Sequence, residues 1–530
     1  MRHDQVDDRK AFHSWKSGSR ALTAGAVAAA FAAFMVTGLA VEAAEPKAGG
    51  TLIFARPDEP LTLDPFIPAD NGSIWAIEQV CDTLIEADAT GEGIVPGLAE
   101  SWEVSQDEMT YTFKLRDAKF SNGDPVTVED VVFSYKTSAR PDGTYAFLFD
   151  PVKSIEAVDD KHVRFTLKEP YSPLLSAVSI FAASVVHKKT YEADRDKFGV
   201  SPVCSGAFKV DEYKRGSHVV LSRNEHYWGK DEAGRQLPYL DKVEMRYVPE
   251  SNARVLGLIN GDFDVISTVP FNQAASVEVL PGVNLEVQPM YRLDYIYLNH
   301  AKAPIDDKNV RLAMNYAANR QAILQTVYFG YGEIPNSYMP KINFHCGEVA
   351  KIPFDLAKAK DLLAQSSYDG SKIELQIDTG NAPFRQIATI LQQGWTAAGL
   401  NVELAEYDVG TAWGHTETGD YQAYMSYITS DLNDQDELAS LQGDYTGSSE
   451  AFFSRYKNDK VVELLRKARA VSDPAERRGL YCDIQKTVYH EGYSVPINFV
   501  PAVNAYQDHV QGWKNLTTGW WWLSRVWLDK

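Results

Sequence analysis

From Tyr295 onward, segments of strand length alternate with segments of helix length. That rhythm limits the possible fold more than any other feature. Strands are expected at residues 295–298, 373–377, 402–404, 424–428 and 495–499. Between them lie helical patterns at residues 308–329 and 356–365, the latter opened by a capping Asp355. A further helix carries Ile387, Ile390, Leu391 and Trp395 on one face and is stopped by Gly399. Asp473-Pro474 reads as an N-cap followed by an N1 proline, and the helix it opens bears Leu480, Ile484 and Val488 before Gly492. Strands separated by helices predict an α/β lobe with a largely parallel sheet.

The earlier half has a different texture, richer in strands and turns. Residues 51–54 read as a strand and 74–85 as a helix. Tyr111, Phe113 and Leu115 alternate with Thr112 and Lys114, the pattern of a half-buried strand. Asn122-Gly123 is a turn, and Thr127 opens a helix with Asp130 as its capping-box partner. Val163, Phe165 and Leu167 follow the hairpin signal Asp159-Asp160. Val243, Met245 and Tyr247 mark another strand, and Ser251 is expected to cap a helix ending at Asn260-Gly261. A chain of 530 residues is too long for one core. Two lobes of unlike texture therefore predict a cleft between them, where a ligand would sit.

Arg9, Lys10, Lys16 and Arg20 precede an Ala-rich apolar run over residues 21–39. Val41 and Ala43 suit the −3 and −1 positions of a signal-peptidase site. Residues 1–43 are thus expected to be a Sec-type signal peptide, with a periplasmic mature protein beginning near Ala44. The run is also long enough to span a bilayer, so an uncleaved anchor is the rival reading. No cysteine follows the cut closely, which argues against a lipoprotein. A net charge of −20 supplies no basic stripe for phosphates and excludes a nucleic-acid partner. Four cysteines, Cys81, Cys204, Cys346 and Cys482, allow three full disulfide pairings in an oxidising compartment, and spacing does not choose among them.

Sequence motifs for catalysis are missing: the chain has no HExxH, GxSxG, GxxxxGK[ST] or GxGxxG. His345-Cys346 are adjacent in an extended segment and point apart, so no enzyme, cofactor or metal site is expected. The polar stretch 430–437, SDLNDQDE, directly follows a strand. Loops at the carboxyl ends of strands in α/β sheets are where ligands bind. A carboxylate there could hold an ammonium group, or Asp431 or Asp434 could cap the helix that follows. Trp75, Trp395 and Trp413 are core or contact residues. Trp520-Trp521-Trp522 cannot all face inward, because side chains alternate along a strand.

The literal wording goes further. PGLAESWEVS, FKLRDAKFSNGDPVTVEDVVFS, PVCSGAFKV, SRNEHYWG, LINGDFDVI and YITSDLNDQDE resemble the periplasmic solute-binding proteins of the peptide, nickel and opine class, family 5, that feed bacterial ABC importers. The resemblance covers the whole mature chain. It implies an α/β, two-lobe periplasmic-binding-protein fold with an extra subdomain in the first lobe. Lobe I would be 44–83, 204–297 and 500–530, the extra subdomain 84–203 and lobe II 298–499, with crossings near Leu298 and Val500. The partners implied are a small solute, foremost a peptide, and an inner-membrane permease with its ATPase subunits; the protein would be a monomer. Oligosaccharides and opine-type conjugates are the alternative solutes. A chemoreceptor or chaperone role is a possible addition, and a secreted enzyme is the remote rival. Peptide-binding members carry an aspartate after this strand that grips the ligand ammonium; that role falls on Asp431, with Ile428, Thr429 and Ser430 beside it. Ile428 stands where those members have tryptophan, and Cys204 where they have glycine. Dipeptide binders place a carboxylate-binding arginine near Asp378; here the nearest arginine is Arg385. Trp75 and Cys204 complete the expected ligand contacts from the first lobe.

Overall fold

A computed structural model describes residues 45–67, 70–88, 93–141, 143, 145–447, 451 and 453–530. The expected signal peptide, 1–43, lies outside the described residues. Three larger sheets organise the rest. In the seven-stranded sheet, Thr51–Arg56 runs parallel to Lys242–Tyr247 and to Val265–Ile266. His218–Arg223, Phe208–Lys214, Ala502–Gln507 and Val283–Gln288 extend it with antiparallel pairs. Leu52 and Phe54 face its core from alternate positions of the first strand.

A four-stranded antiparallel sheet, Ala99–Val104, Thr110–Leu115, His162–Leu167 and Val152–Ala157, forms the extra subdomain of the first lobe. Helix Val128–Ser138 packs on it, and its capping box forms as its residues require. Thr127 Oγ1 accepts from the Asp130 amide, and the Asp130 carboxylate accepts from the Thr127 amide.

The second lobe is built on a five-stranded sheet ordered Asn401–Tyr407, Lys372–Asp378, Ala423–Thr429, Arg292–Leu298, Val495–Phe499. The first three strands run parallel. Arg292–Leu298 is antiparallel to both of its neighbours, so the expectation of a largely parallel sheet is corrected to a mixed one. The reason lies in the crossings: Arg292–Leu298 carries the chain into this lobe and Val495–Phe499 carries it back, so the two run in opposite senses. All of Arg292–Leu298 pairs within this sheet, and the passage from the first lobe falls between Gln288 and Arg292, ahead of Leu298. Ala423–Thr429 is antiparallel to the incoming strand, so its carboxyl end points back at the first lobe.

Three other local expectations change. The helix expected over 74–85 is Asn71–Ile77, capped by Asp70. It ends there because the Gln79 and Val80 carbonyls accept from the Phe208 and Gly206 amides (3.1 and 3.0 Å) and are lost to a helical ladder. Gly206 makes that approach possible, since a Cβ there would lie 2.5 Å from the Val80 carbonyl carbon. The helix expected over 308–329 is two, Lys308–Tyr316 and Arg320–Thr326, with Asn319 capping the second through the Ala322 amide. Ser251 is the first helical residue rather than the cap, which is Glu250. Disulfides join Cys81 to Cys204 and Cys346 to Cys482.

Candidate functional site

The turn after Ala423–Thr429 crosses into the first lobe. Leu432 is buried in the first lobe's core cluster, while Ile428 belongs to the second lobe's. Tyr171 of the extra subdomain donates to Asp436 (3.0 Å), and the Ser172 amide donates to the Arg469 carbonyl (2.8 Å). The lobes thus touch around a cavity of about 260 Å³.

Its polar and aromatic walls come mainly from three parts of the chain, with Ser172, Ser176, Tyr227 and Asn343 adding to the lining. Glu78, Asp82 and Glu86 come from the turn and strand after the first helix, Asp431 to Asp434 with Arg477 from the second lobe, and Thr518, Trp520 and Trp522 from the C-terminal segment. Trp521, between the last two, turns inward against Phe54 and Trp513. A second cavity of about 720 Å³ lies beside it along the cleft, and Asn343 and Asn433 line both. Asn433 Oδ1 accepts from Tyr291 Oη (2.8 Å) and from the Asn343 amide (3.0 Å), which makes it the partition between them.

The electrostatics are one-sided. Arg477 lines the first cavity, but its guanidinium is spent on a bidentate pair with Asp434 (2.9 and 3.0 Å). Asp434 also caps helix Gln435–Gly443 through the Asp436 amide, so the capping role belongs to it and not to Asp431. Asp431 accepts from Tyr145 Oη (2.9 Å), and burial pushes its carboxyl up to about 6. Burial pushes Glu78 up to about 8, helped by the charges of Asp431 and Asp82. Asp82 accepts from Trp228 Nε1 (2.8 Å) and is pushed by burial to about 6. Glu86 is held well above the carboxylate range, first by burial and then by Asp82. Beneath Asp431, Glu437 accepts from Ser430 Oγ (2.7 Å) and the Leu432 amide (3.2 Å), which fixes the turn.

Of the residues expected at the site, Asp431 lines this cavity. Ser430 is fully buried and bonded to Glu437, Ile428 is in the core, and Thr429 ends its strand opposite Arg292. Asp378 accepts from Tyr424 Oη (2.7 Å) at the same sheet edge, outside either cavity. Arg385 is exposed on its helix and paired with Glu406. Trp75 packs edge-on against Trp521, behind the cavity wall. Cys204 is buried in its disulfide, which ties the Gly206 connection to the turn bearing Asp82. Sequence reasoning missed Glu78, Asp82, Glu86 and Tyr145. Glu78 and Asp82 fall inside the helix expected over 74–85 and Glu86 just past it, whereas the helix ends at Ile77. Among the described residues, no group of three or more His, Cys, Asp or Glu could hold a metal ion. No helix among them is long and apolar enough to cross a membrane.

Comparison with known proteins gives a consistent picture. The model of the bacterial extracellular solute-binding proteins, family 5, matches residues 93–450. A heme-binding protein A of Haemophilus influenzae is 27% identical over 504 residues, covering 88% of this chain and 91% of that protein. A dipeptide-binding protein of Escherichia coli is 26% identical over 462 residues, covering 81% and 85%. The structure is similar to that of the periplasmic binding protein DppA from Helicobacter pylori in complex with the peptide STSA. There the TM-score is 0.83 at 27% identity, covering 91% of this chain and 99% of the other.

Proposed function

This chain belongs to the bacterial extracellular solute-binding proteins of family 5, and we propose that the solute it captures is a small peptide held by its free ammonium group. It is the solute-binding component of an ABC importer, not an enzyme, and works with a permease and its ATPase. The observation that carries the peptide reading is Asp431: a carboxylate on a cavity wall between the lobes, where the neighbouring arginine is already paired. A charge-assisted hydrogen bond from an ammonium would satisfy it in a low-dielectric site. Relatives described as binding a dipeptide and the peptide STSA support the same class. A neutral oligosaccharide would leave that carboxylate without a counter-charge.

Capture works by closure. Solute that bridges the lobes binds the closed form more tightly than the open one and shifts the population toward it. The closed form then presents both lobes to the inner-membrane permease. In this reading the mature protein is periplasmic, monomeric and cut from its Sec-type signal after Ala43. Lobe I then comprises 44–83, 204–291 and 500–530, the extra subdomain 84–203 and lobe II 292–499. The first crossing is drawn back to the passage before Arg292, because that strand pairs wholly in the second sheet. The test is to purify the protein from a periplasmic extract, denature it and identify the released small molecule by mass spectrometry. A peptide is expected, and a neutral sugar would replace the peptide reading.

A further inference from the structure

We infer that the interlobe cavity is shaped for a solute with two positively charged groups, one set against Asp431 and the other against Glu78, Asp82 and Glu86. This rests on the reading that the cavity is the solute site. Four carboxylates line it beyond the paired Asp434, and they come from both lobes. The charges that act on Glu78 include those of Asp431 and Asp82, both of its own sign. Glu86 faces Asp82, Glu78 and one cation, Arg116. That cation is held behind the wall: its guanidinium stacks on Trp228 (3.7 Å) and its Nε donates to the Gly97 carbonyl (2.6 Å). Asp82 gives one oxygen to Trp228 Nε1. Tyr145 and Tyr227 are the phenols beside the cluster, and Glu437 lies behind Asp431 with its carboxyl held well above the ordinary range by burial.

A second, independent observation marks the cavity as a ligand site. Thr518 on its wall is 3% exposed, and its Oγ1 has no hydrogen-bond partner among the described residues. Buried hydroxyls are almost always bonded, so this one is left for the occupant. An ammonium-rich solute supplies what the walls lack: donors for four carboxylates and for the Thr518 oxygen. A single ammonium answers Asp431 but leaves Glu78, Asp82 and Glu86 facing one arginine, Arg116, which acts on Asp82 and Glu86. Two cationic groups are found alike in a lysine-containing peptide and in a linear diamine.

Because burial holds Glu78 and Glu86 above their ordinary range, the solute-free cavity keeps protons at neutral pH that a dication must displace. The experiment is calorimetric titration of the mature protein, stripped of bound solute, with Lys-Lys, Ala-Ala, Glu-Glu and 1,4-diaminobutane. Each titration is run at neutral pH in two buffers of different ionisation heat. Lys-Lys is expected to bind about tenfold or more tighter than Ala-Ala, with Glu-Glu weakest and with protons released to the buffer. The variants Glu78→Gln and Glu86→Gln, each checked for an intact melting transition, should bring the Lys-Lys to Ala-Ala ratio toward one. Tight diamine binding with weak Lys-Lys would support the inference and replace the peptide by a polyamine. Equal affinity for Lys-Lys and Ala-Ala would overturn the inference and leave the peptide reading standing. Binding by none of the probes would overturn it as well.

Discussion

Tyr145 of the extra subdomain donates a 2.9 Å hydrogen bond to Asp431 of the second lobe. The carboxylate assigned to the solute therefore also ties the two lobes together. A solute ammonium can share Asp431 with Tyr145, because a carboxylate accepts several bonds at once. On the proposed reading, closure and recognition depend on the same carboxylate.

Replacing Asp431 by asparagine should be costly to binding. Truncating one partner of a buried charge pair costs on the order of 2–5 kcal/mol, or about 30- to several thousand-fold in affinity. The fold should hold, since Asp434 rather than Asp431 caps the following helix. Calorimetric titration of Asp431→Asn with the solute released from wild type, beside a melting curve, checks both halves. Near-wild-type affinity would remove Asp431 from the site.

Asp434 should behave in the opposite way. It holds Arg477 bidentately with both side chains buried, and it caps helix Gln435–Gly443. Asp434→Ala strands a buried guanidinium, a loss of about 3–5 kcal/mol, and removes a cap worth about 1 kcal/mol. Its melting temperature should fall well below that of Asp431→Asn. Equal melting temperatures for the two variants would contradict this assignment.

The fold was legible where local chemistry acts alone. The Thr127–Asp130 capping box, the Asp473-Pro474 helix start and the Gly399 stop need only neighbours in sequence, and each forms as expected. Expectations failed where a distant segment intervenes. Gly206 and Phe208 draw the Gln79 and Val80 carbonyls out of helix, and no local pattern near Gln79 announces that. The same holds for the site. Asp431 stood out because it follows a strand. Glu78 and Glu86 did not, because they share a cavity wall with Asp431, more than three hundred residues away in sequence. The alternation of Trp520, Trp521 and Trp522 was readable; that their outward side is a cavity wall was not.

Both disulfides should carry stability. Cys81–Cys204 closes a separation of 123 residues and Cys346–Cys482 one of 136. Loops of this length correspond to about 5 kcal/mol each in the chain-entropy model, an upper figure because unfolded chains retain structure. Cys81→Ser with Cys204→Ser should cost more function than the other pair, since that bridge holds the turn bearing Asp82 at the cavity. Melting curves and solute titrations of the two double variants separate the effects. Equal loss of affinity in both would count against a positioning role for Cys81–Cys204.

The stability of the solute-free protein should fall between pH 7 and 9. Glu78 has an ordinary value of 4.5 and is raised to about 8 in the folded state. The folded protein therefore binds its proton more tightly than the unfolded chain does. That contribution is fully present below about 4.5 and is lost as pH climbs through about 8, at roughly 1.4 kcal/mol for each unit separating the two values. Glu86 acts in the same direction. Asp431 and Asp82, each raised to about 6, have already lost most of theirs by pH 7. The buried His300 and His345 work the other way, lowered to about 3 and about 4. Their contribution disappears only as pH falls below the ordinary histidine value of 6.5, so they are flat across this window. Melting temperatures at pH 7, 8 and 9 should decline for wild type and decline less for Glu78→Gln, whose amide has no proton to lose. A saturating dicationic solute should flatten the wild-type decline, because the ionised carboxylates then have partners. A wild-type profile that is already flat without solute would mean that Glu78 ionises freely in the closed cleft.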